Sequence, residues 1–340
     1  MRCLPDGRNA LRFAGCDETA LDMRFLFYRI GTRGASFSGP AARKSSAPAE
    51  ERRTLTGIPS LQSGREPIMA ALSKDQVRAF FERGFLVQPG VFSAQEVETM
   101  RAAFSRLEAM ARLLSTTRAY RGSWFVLEQA AAPGPTDGLR IHRIVWCGAA
   151  QPILSHYGRD PRLLEMAAQI LGSREMDHLI NQAHFKLPGD GVAFGWHQDS
   201  RHRRFGQGPW KDVNGRGSYV QTVVALDDVT PNSGPLRLIP GSCKLGHLPR
   251  FPDQWPASEL ADPARAVAPS LASGSVLLFG PYTLHSSLPN QSARPRRAFI
   301  NGYAFPGANT RVYPGRGAGR RLRSPGASRP CGRRGRGVQQ

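Results

Sequence analysis

Phe194-Gly195-Trp196-His197-Gln198-Asp199 is the stretch from which the fold can be read. His197 and Asp199 are two residues apart, so on an extended strand both side chains point to the same face. An imidazole and a carboxylate placed in this way can share one cation. A second histidine would complete a 2-His-1-carboxylate set, which holds Fe(II) and leaves three coordination positions open. Alone, the dyad also fits a histidine hydrogen-bonded to a nearby aspartate at a strand end. A second histidine, His285, lies 86 residues beyond Asp199, just past the apolar run Ser275–Gly280, and Arg296 follows eleven residues later. A guanidinium at that point suits a carboxylate ligand, which it grips in bidentate fashion.

From Asn181 onward the sequence consists of short β-like runs separated by turns: 181–186, 219–227, 236–239, 275–280 and 298–304. The turns are Pro188-Gly189-Asp190-Gly191, Pro231-Asn232-Ser233-Gly234 and Pro240-Gly241-Ser242. Upstream the texture is helical. Ser73 with Gln76 forms a capping-box signature, with Val77, Phe80 and Phe81 on one face and Gly84 as the stop. Ser93 with Glu96 opens a second helix that runs to about Arg112. Asp160, Pro161 and Gly172 bound a third, and Phe85-Leu86-Val87 reads as a short strand. Helices first and many short strands after predict an α+β chain with a sandwich or barrel core.

The chain has 340 residues with 40% apolar and 21% charged side chains, enough for a substantial core and ordinary for a globular protein. No run approaches the ~18 apolar residues of a membrane span. Cys3, Cys16, Cys147, Cys243 and Cys331 are scattered, which argues against a disulfide scaffold and for a reducing, cytoplasmic setting. The net charge of +20 is concentrated at the ends: residues 1–68 carry +4, 310–340 carry +9 and the long middle only +7. With 41 Arg to 5 Lys the excess reads as composition bias rather than a nucleic-acid surface. Residues 1–68 lack periodicity and are expected to be a disordered or non-native extension ahead of Met69. The expected domain is 69–309, and the basic Arg/Gly-rich segment 310–340 is expected to be a disordered tail.

Three ordered blocks resemble the phytanoyl-CoA dioxygenase family, which includes ectoine-hydroxylase-like members. They are Trp196–Asp199 (WHQD), Val224–Gly246 (VALDDVTPNSGPLRLIPGSCKLG) and Gly274–Phe299 (GSVLLFGPYTLHSSLPNQSARPRRAF). FFERGFLVQPGVFSAQEV, from Phe80 to Val97, is similar to the family's helical N-terminus. The resemblance spans about Ala70 to Pro306. It implies a double-stranded β-helix core, jelly-roll and cupin-like, with the N-terminal helices packed on it. It also implies an Fe(II)- and 2-oxoglutarate-dependent dioxygenase that hydroxylates a small organic molecule with O2, converting 2-oxoglutarate to succinate and CO2.

Carried over by position, the resemblance makes His197, Asp199 and His285 the iron ligands and the catalytic centre. Arg296 would bind the distal carboxylate of 2-oxoglutarate, with Ser287, Gln182 and Lys186 beside it. Arg294 and Arg297 flank Arg296 and would replace it if the strand register differed. Many relatives carry a tryptophan where this chain has Val223, so one aromatic wall of that pocket is missing or supplied from elsewhere. The basic, aromatic-bearing loop 200–218 offers Arg201, His202, Arg204 and Trp210 for substrate recognition. Halogenation on the same fold needs a small residue in place of the carboxylate, and Asp199 is present. A non-catalytic ligand-binding domain is the other alternative, and the complete set of ligand candidates argues against it.

Overall fold

The computed structural model describes residues 71–129, 139–202, 211–308 and 316–325. All of them belong to one unit of the chain, residues 64–340. The expected extension 1–68 lies outside the described residues.

The helices begin and end where their caps dictate. Helix α1 (Lys74–Arg83) opens on Ser73, whose hydroxyl accepts from the Gln76 N–H while the Gln76 side chain accepts from the Ser73 N–H, and it closes at Gly84 with φ 87°. The same reciprocal box, Ser93 with Glu96, opens α2 (Ala94–Arg112). Two short helices, α3 (Cys147–Ala150) and α4 (Pro152–Tyr157), lead into α5 (Pro161–Leu171), capped by Asp160 and stopped at left-handed Gly172. Helix α6 (Asp199–His202) is a single turn. Phe80 is buried as expected, but its neighbour Phe81 lies at the edge of that face, exposed, with the Arg216 guanidinium 5.6 Å from its ring.

Among the described residues, twelve strands form two antiparallel sheets. The large sheet has the order β1 (Phe85–Gln88), β9 (Val276–Phe279), β7 (Tyr219–Ala225), β11 (Ala298–Ala304), β5 (Glu175–His184), β4 (Leu139–Val145), β3 (Ser123–Gln129), β2 (Arg118–Tyr120). Strand β12 (Arg320–Arg323) pairs the outer end of β5. The small sheet is β6 (Phe194–His197), β10 (His285–Ser287), β8 (Leu236–Leu238). Together they make the double-stranded β-helix, with helices on one side of the large sheet.

Alternation along the strands divides the core in two. Val224, Phe299 and Phe185 face outward and meet Phe104 of α2, whose ring lies 5.2 Å from that of Phe185. Val223, Leu277 and Ile300, directly opposite one another across β7, β9 and β11, face inward and form the barrel lining with Leu238 of the small sheet.

The sequence reading differs from this architecture in three places. The hairpins β2–β3–β4 lie between α2 and α3, a stretch for which the sequence reading names no strand. Residues 320–323 of the supposed tail form β12, because Leu322 is half-buried and Arg321 finds Asp177 (2.5 Å); the rest of that tail, apart from 316–325, lies outside the described residues. Asp199 does not sit on the strand with His197: β6 ends at His197 and Asp199 opens α6. Among the described residues no helix is long and apolar enough to cross a membrane.

Candidate metal centre

His285 lies directly opposite His197 across β10 and β6, and their rings are 4.1 Å apart. The turn from strand to helix then brings Asp199 to them, so that one ligand atom from each of the three lies within 4.8 Å of the others. Gln198 fixes the turn. Its buried side chain donates to the carbonyls of Gly246 (2.9 Å) and Tyr282 (2.7 Å) and accepts from the Leu248 N–H (2.8 Å). Sequence reasoning passed over Gln198, and its position inside WHQD was the one available signal.

The histidines have matching second contacts. His197 Nδ1–H donates to the Gly195 carbonyl (2.8 Å), and His285 Nδ1–H donates to the Thr283 carbonyl (2.9 Å). A carbonyl only accepts, so each ring carries its proton on Nδ1 and leaves Nε2 as a lone-pair donor. Two such nitrogens and a buried carboxylate fit a hard-to-borderline divalent cation such as Fe(II), with positions to spare.

Further along the barrel, backbone bonds in both directions join Lys186 and Arg296 (2.9 and 3.2 Å), so their side chains enter the interior side by side. Arg296 is 6% exposed. It donates from Nη2 to the Gly234 carbonyl (2.7 Å), and its Nε has no hydrogen-bond partner among the described residues. Burial lowers its pKa to about 10. Val223, Leu236, Leu277 and Ala298 line the apolar pocket it borders. Lys186, only 1% exposed, donates from Nζ to Ser287 Oγ (2.7 Å) and to the Leu288 carbonyl. Burial, and secondarily the Arg296 charge, push its pKa down to about 7.

The structure therefore brings Ser287, Lys186 and Arg296 together. Arg294 is exposed, and Arg297 is bound in a fork to Asp227 (2.8 and 2.9 Å). Gln182 shares the inner face, on β5, with its Oε1 2.9 Å from His184 Nε2. The His202 ring lies 5.5 Å from that of His197, while Arg201 points to Asp253 (3.6 Å). Arg204 and Trp210 lie outside the described residues.

Comparison with known proteins gives one consistent answer. The phytanoyl-CoA dioxygenase family pattern matches residues 80–298. An ectoine dioxygenase of Bordetella bronchiseptica is 30% identical over 246 residues, 66% of this chain and 73% of that protein. An L-proline trans-4-hydroxylase of Streptomyces griseoviridis is 25% identical over 245 residues, 65% of this chain and 82% of that protein. The crystal structure of EctD from S. alaskensis in its apoform is similar with a TM-score of 0.55 at 26% identity, covering 77% of this chain and 90% of that one. The form with 2-oxoglutarate and 5-hydroxyectoine gives 0.51 at 25% identity, covering 72% and 86%.

Proposed function

Because the chain belongs to the phytanoyl-CoA dioxygenase family, and is thereby an Fe(II)- and 2-oxoglutarate-dependent dioxygenase, we propose that it hydroxylates a small organic substrate at the centre formed by His197, Asp199 and His285. The observation that carries this reading is the convergence of those three ligand atoms within 4.8 Å. Bound there with 2-oxoglutarate and O2, Fe(II) supplies an oxidant able to turn a substrate C–H into C–OH while 2-oxoglutarate is converted to succinate and CO2.

The protein's own residues do the rest. His197 and His285 present fixed Nε2 lone pairs, and Asp199 offsets part of the metal's charge. Arg296 takes the distal carboxylate of 2-oxoglutarate: it is a buried cation whose one guanidinium hydrogen bond among the described residues goes to a neutral carbonyl, so a carboxylate relieves a desolvation cost that the fold alone leaves standing. Lys186 and Ser287 stand beside it as further donors. Val223, Leu277 and Ala298 border the pocket with apolar surface, suited to the methylene segment of the co-substrate. Val223 also leaves the space that a tryptophan would fill. Gln182 and His202 face the reacting side and are assigned to orienting the co-substrate and the substrate, respectively. Asp199 occupies the coordination position a halide would need, which favours hydroxylation over halogenation. We place the catalytic domain from Met69 through the β12 strand and the enzyme in the cytoplasm, where its thiols Cys147 and Cys243 remain free.

The test is an anaerobic titration with Fe(II) and 2-oxoglutarate, followed by O2 and a panel that includes ectoine, L-proline and a CoA ester. Succinate formation coupled to hydroxylation of one panel member is the expected result. Failure to bind iron through all three ligands would overturn the assignment.

A further inference from the structure

We infer that binding of 2-oxoglutarate is coupled to the uptake of one proton from solvent by Lys186; this rests on the reading above, in which Lys186 and Arg296 face the distal carboxylate.

The argument begins with donor counting. An ammonium has three N–H bonds and a neutral amine has two. Among the described residues, Lys186 Nζ has two hydrogen-bond acceptors, Ser287 Oγ and the Leu288 carbonyl, both neutral. Both N–H bonds of a neutral amine are satisfied by them, whereas a third proton would be buried without an acceptor among the described residues.

The charges around it point the same way. Arg296 enters beside Lys186 through reciprocal backbone bonds, so protonating the amine puts two like charges in one buried space. From β4, His142 faces the same region. Burial, with the nearby Arg143 charge, holds its pKa down at about 3, so the ring stays neutral and contributes no charge of either sign. From β6 comes the Phe194 ring, 5.8 Å from Nζ. Asp190, in the turn after β5, is the carboxylate among the described residues that favours the Lys186 ammonium, but its oxygens already accept from the Leu187 (2.6 Å) and Val192 (2.9 Å) N–H groups. Gly234 holds the arrangement tight: a Cβ there would stand 3.0 Å from Lys186 Cδ.

A bound carboxylate changes each of these conditions. It offers the missing third acceptor, cancels the Arg296 repulsion and favours the ammonium. The balance is amine plus one proton plus the 2-oxoglutarate dianion, giving an ammonium–carboxylate contact within the complex. Since binding raises the pKa of Lys186, affinity is fullest below the pKa of the free protein and falls as pH rises through it, until the higher pKa of the complex is reached.

Isothermal titration of 2-oxoglutarate into the anaerobic Fe(II)-loaded full chain, at pH 8 in phosphate and in Tris, reads the proton directly. Uptake of roughly 0.9 proton is expected, with Kd weakening about tenfold between pH 7 and 8.5. Lys186→Met, or Lys186→Gln should that variant prove unfolded, should abolish the buffer dependence and flatten the pH profile. Zero uptake by the parent protein, or uptake that survives either substitution, overturns the inference. If 2-oxoglutarate binds equally well to Arg296→Ala, the placement of the co-substrate itself is wrong.

Discussion

Just before β11 two consecutive arginines enter different regions of the molecule. Arg297 goes to the outer, helix-bearing side, where Asp227 meets it in a fork and Arg101 of α2 joins at 3.3 Å. Arg296 goes to the barrel interior, where its one guanidinium hydrogen bond among the described residues is to the Gly234 carbonyl. The outer cation is neutralised by the chain and has the marks of a structural element. Folding alone leaves the inner one poorly compensated, a cost that a ligand with a carboxylate removes. Charge satisfaction, more than burial, separates the binding face of this sheet from its packing face.

The largest effect should come from the inner face at the metal end. His197→Ala or Asp199→Ala should abolish Fe(II) binding and turnover, because a three-ligand site loses a third of its protein contacts, while thermal unfolding stays close to that of the parent. Metal titration with a parallel melting curve is the check. Normal iron affinity in either variant would break the comparison at its base.

Next comes Arg296→Ala. A buried carboxylate deprived of its partner costs about 3–5 kcal/mol, so the KM for 2-oxoglutarate should rise by roughly several hundred-fold with Fe(II) binding little changed. Arg296→Lys should recover only part, since an ammonium keeps the charge but loses the fork. On the outer face, Arg297→Ala should do the reverse. It removes the guanidinium fork and leaves Asp227 the backbone N–H of residue 297 (2.8 Å) and the weaker Arg101 contact, and should cost about 2–3 kcal/mol in denaturant unfolding, with the KM for 2-oxoglutarate unchanged within about threefold. A large KM effect at Arg297 would exchange the roles of the two faces.

The same contrast explains what could be read from the sequence. Caps are local chemistry, so Ser73, Ser93, Asp160 and Gly172 fixed the helix ends without knowledge of the fold. The inner strands were legible because Val223, Leu277 and Ile300 belong to largely apolar runs flanked by glycines and prolines such as Gly217, Gly274, Gly280-Pro281 and Pro306-Gly307. The cluster of candidate metal ligands was legible through residue type and order, but not its geometry, since Asp199 reaches the site through a strand-to-helix turn held by Gln198. That turn depends on carbonyls 48 and 84 residues away, which no local pattern encodes. The choice among Arg294, Arg296 and Arg297 needed the register of β11 with β5. Strand β3 was missed because Trp124, Phe125, Val126 and Leu127 form one unbroken apolar run, which has no period to identify it. Strand β12 was missed for the opposite reason: Arg320-Arg321-Leu322-Arg323 has a single apolar residue, as a charged edge strand often does.

That last strand supplies the smallest predicted effect. A chain ending at residue 309 loses β12, the Arg321–Asp177 bond (2.5 Å) and the Ser324 hydroxyl bond to Glu165 (2.6 Å). Arg321 is half-exposed, so its ion pair is worth little in water, and four edge residues bury scant apolar surface. The cost should be about 1–2 kcal/mol, a fall in Tm of roughly 2–8 °C for a domain of this size. The strand pairs residues 175–178 of β5, several residues before Gln182 and Lys186, so 2-oxoglutarate turnover at low temperature should match the parent. Hydrogen exchange should accelerate at the amides within 175–178 that face β12, Met176 and His178, and remain slow at those of 180–184, which β11 continues to pair. Loss of turnover in a chain that still folds would show that β12 supports the inner face as well as the edge. Unchanged exchange at Met176 and His178 would show that the strand does not hold that edge in solution.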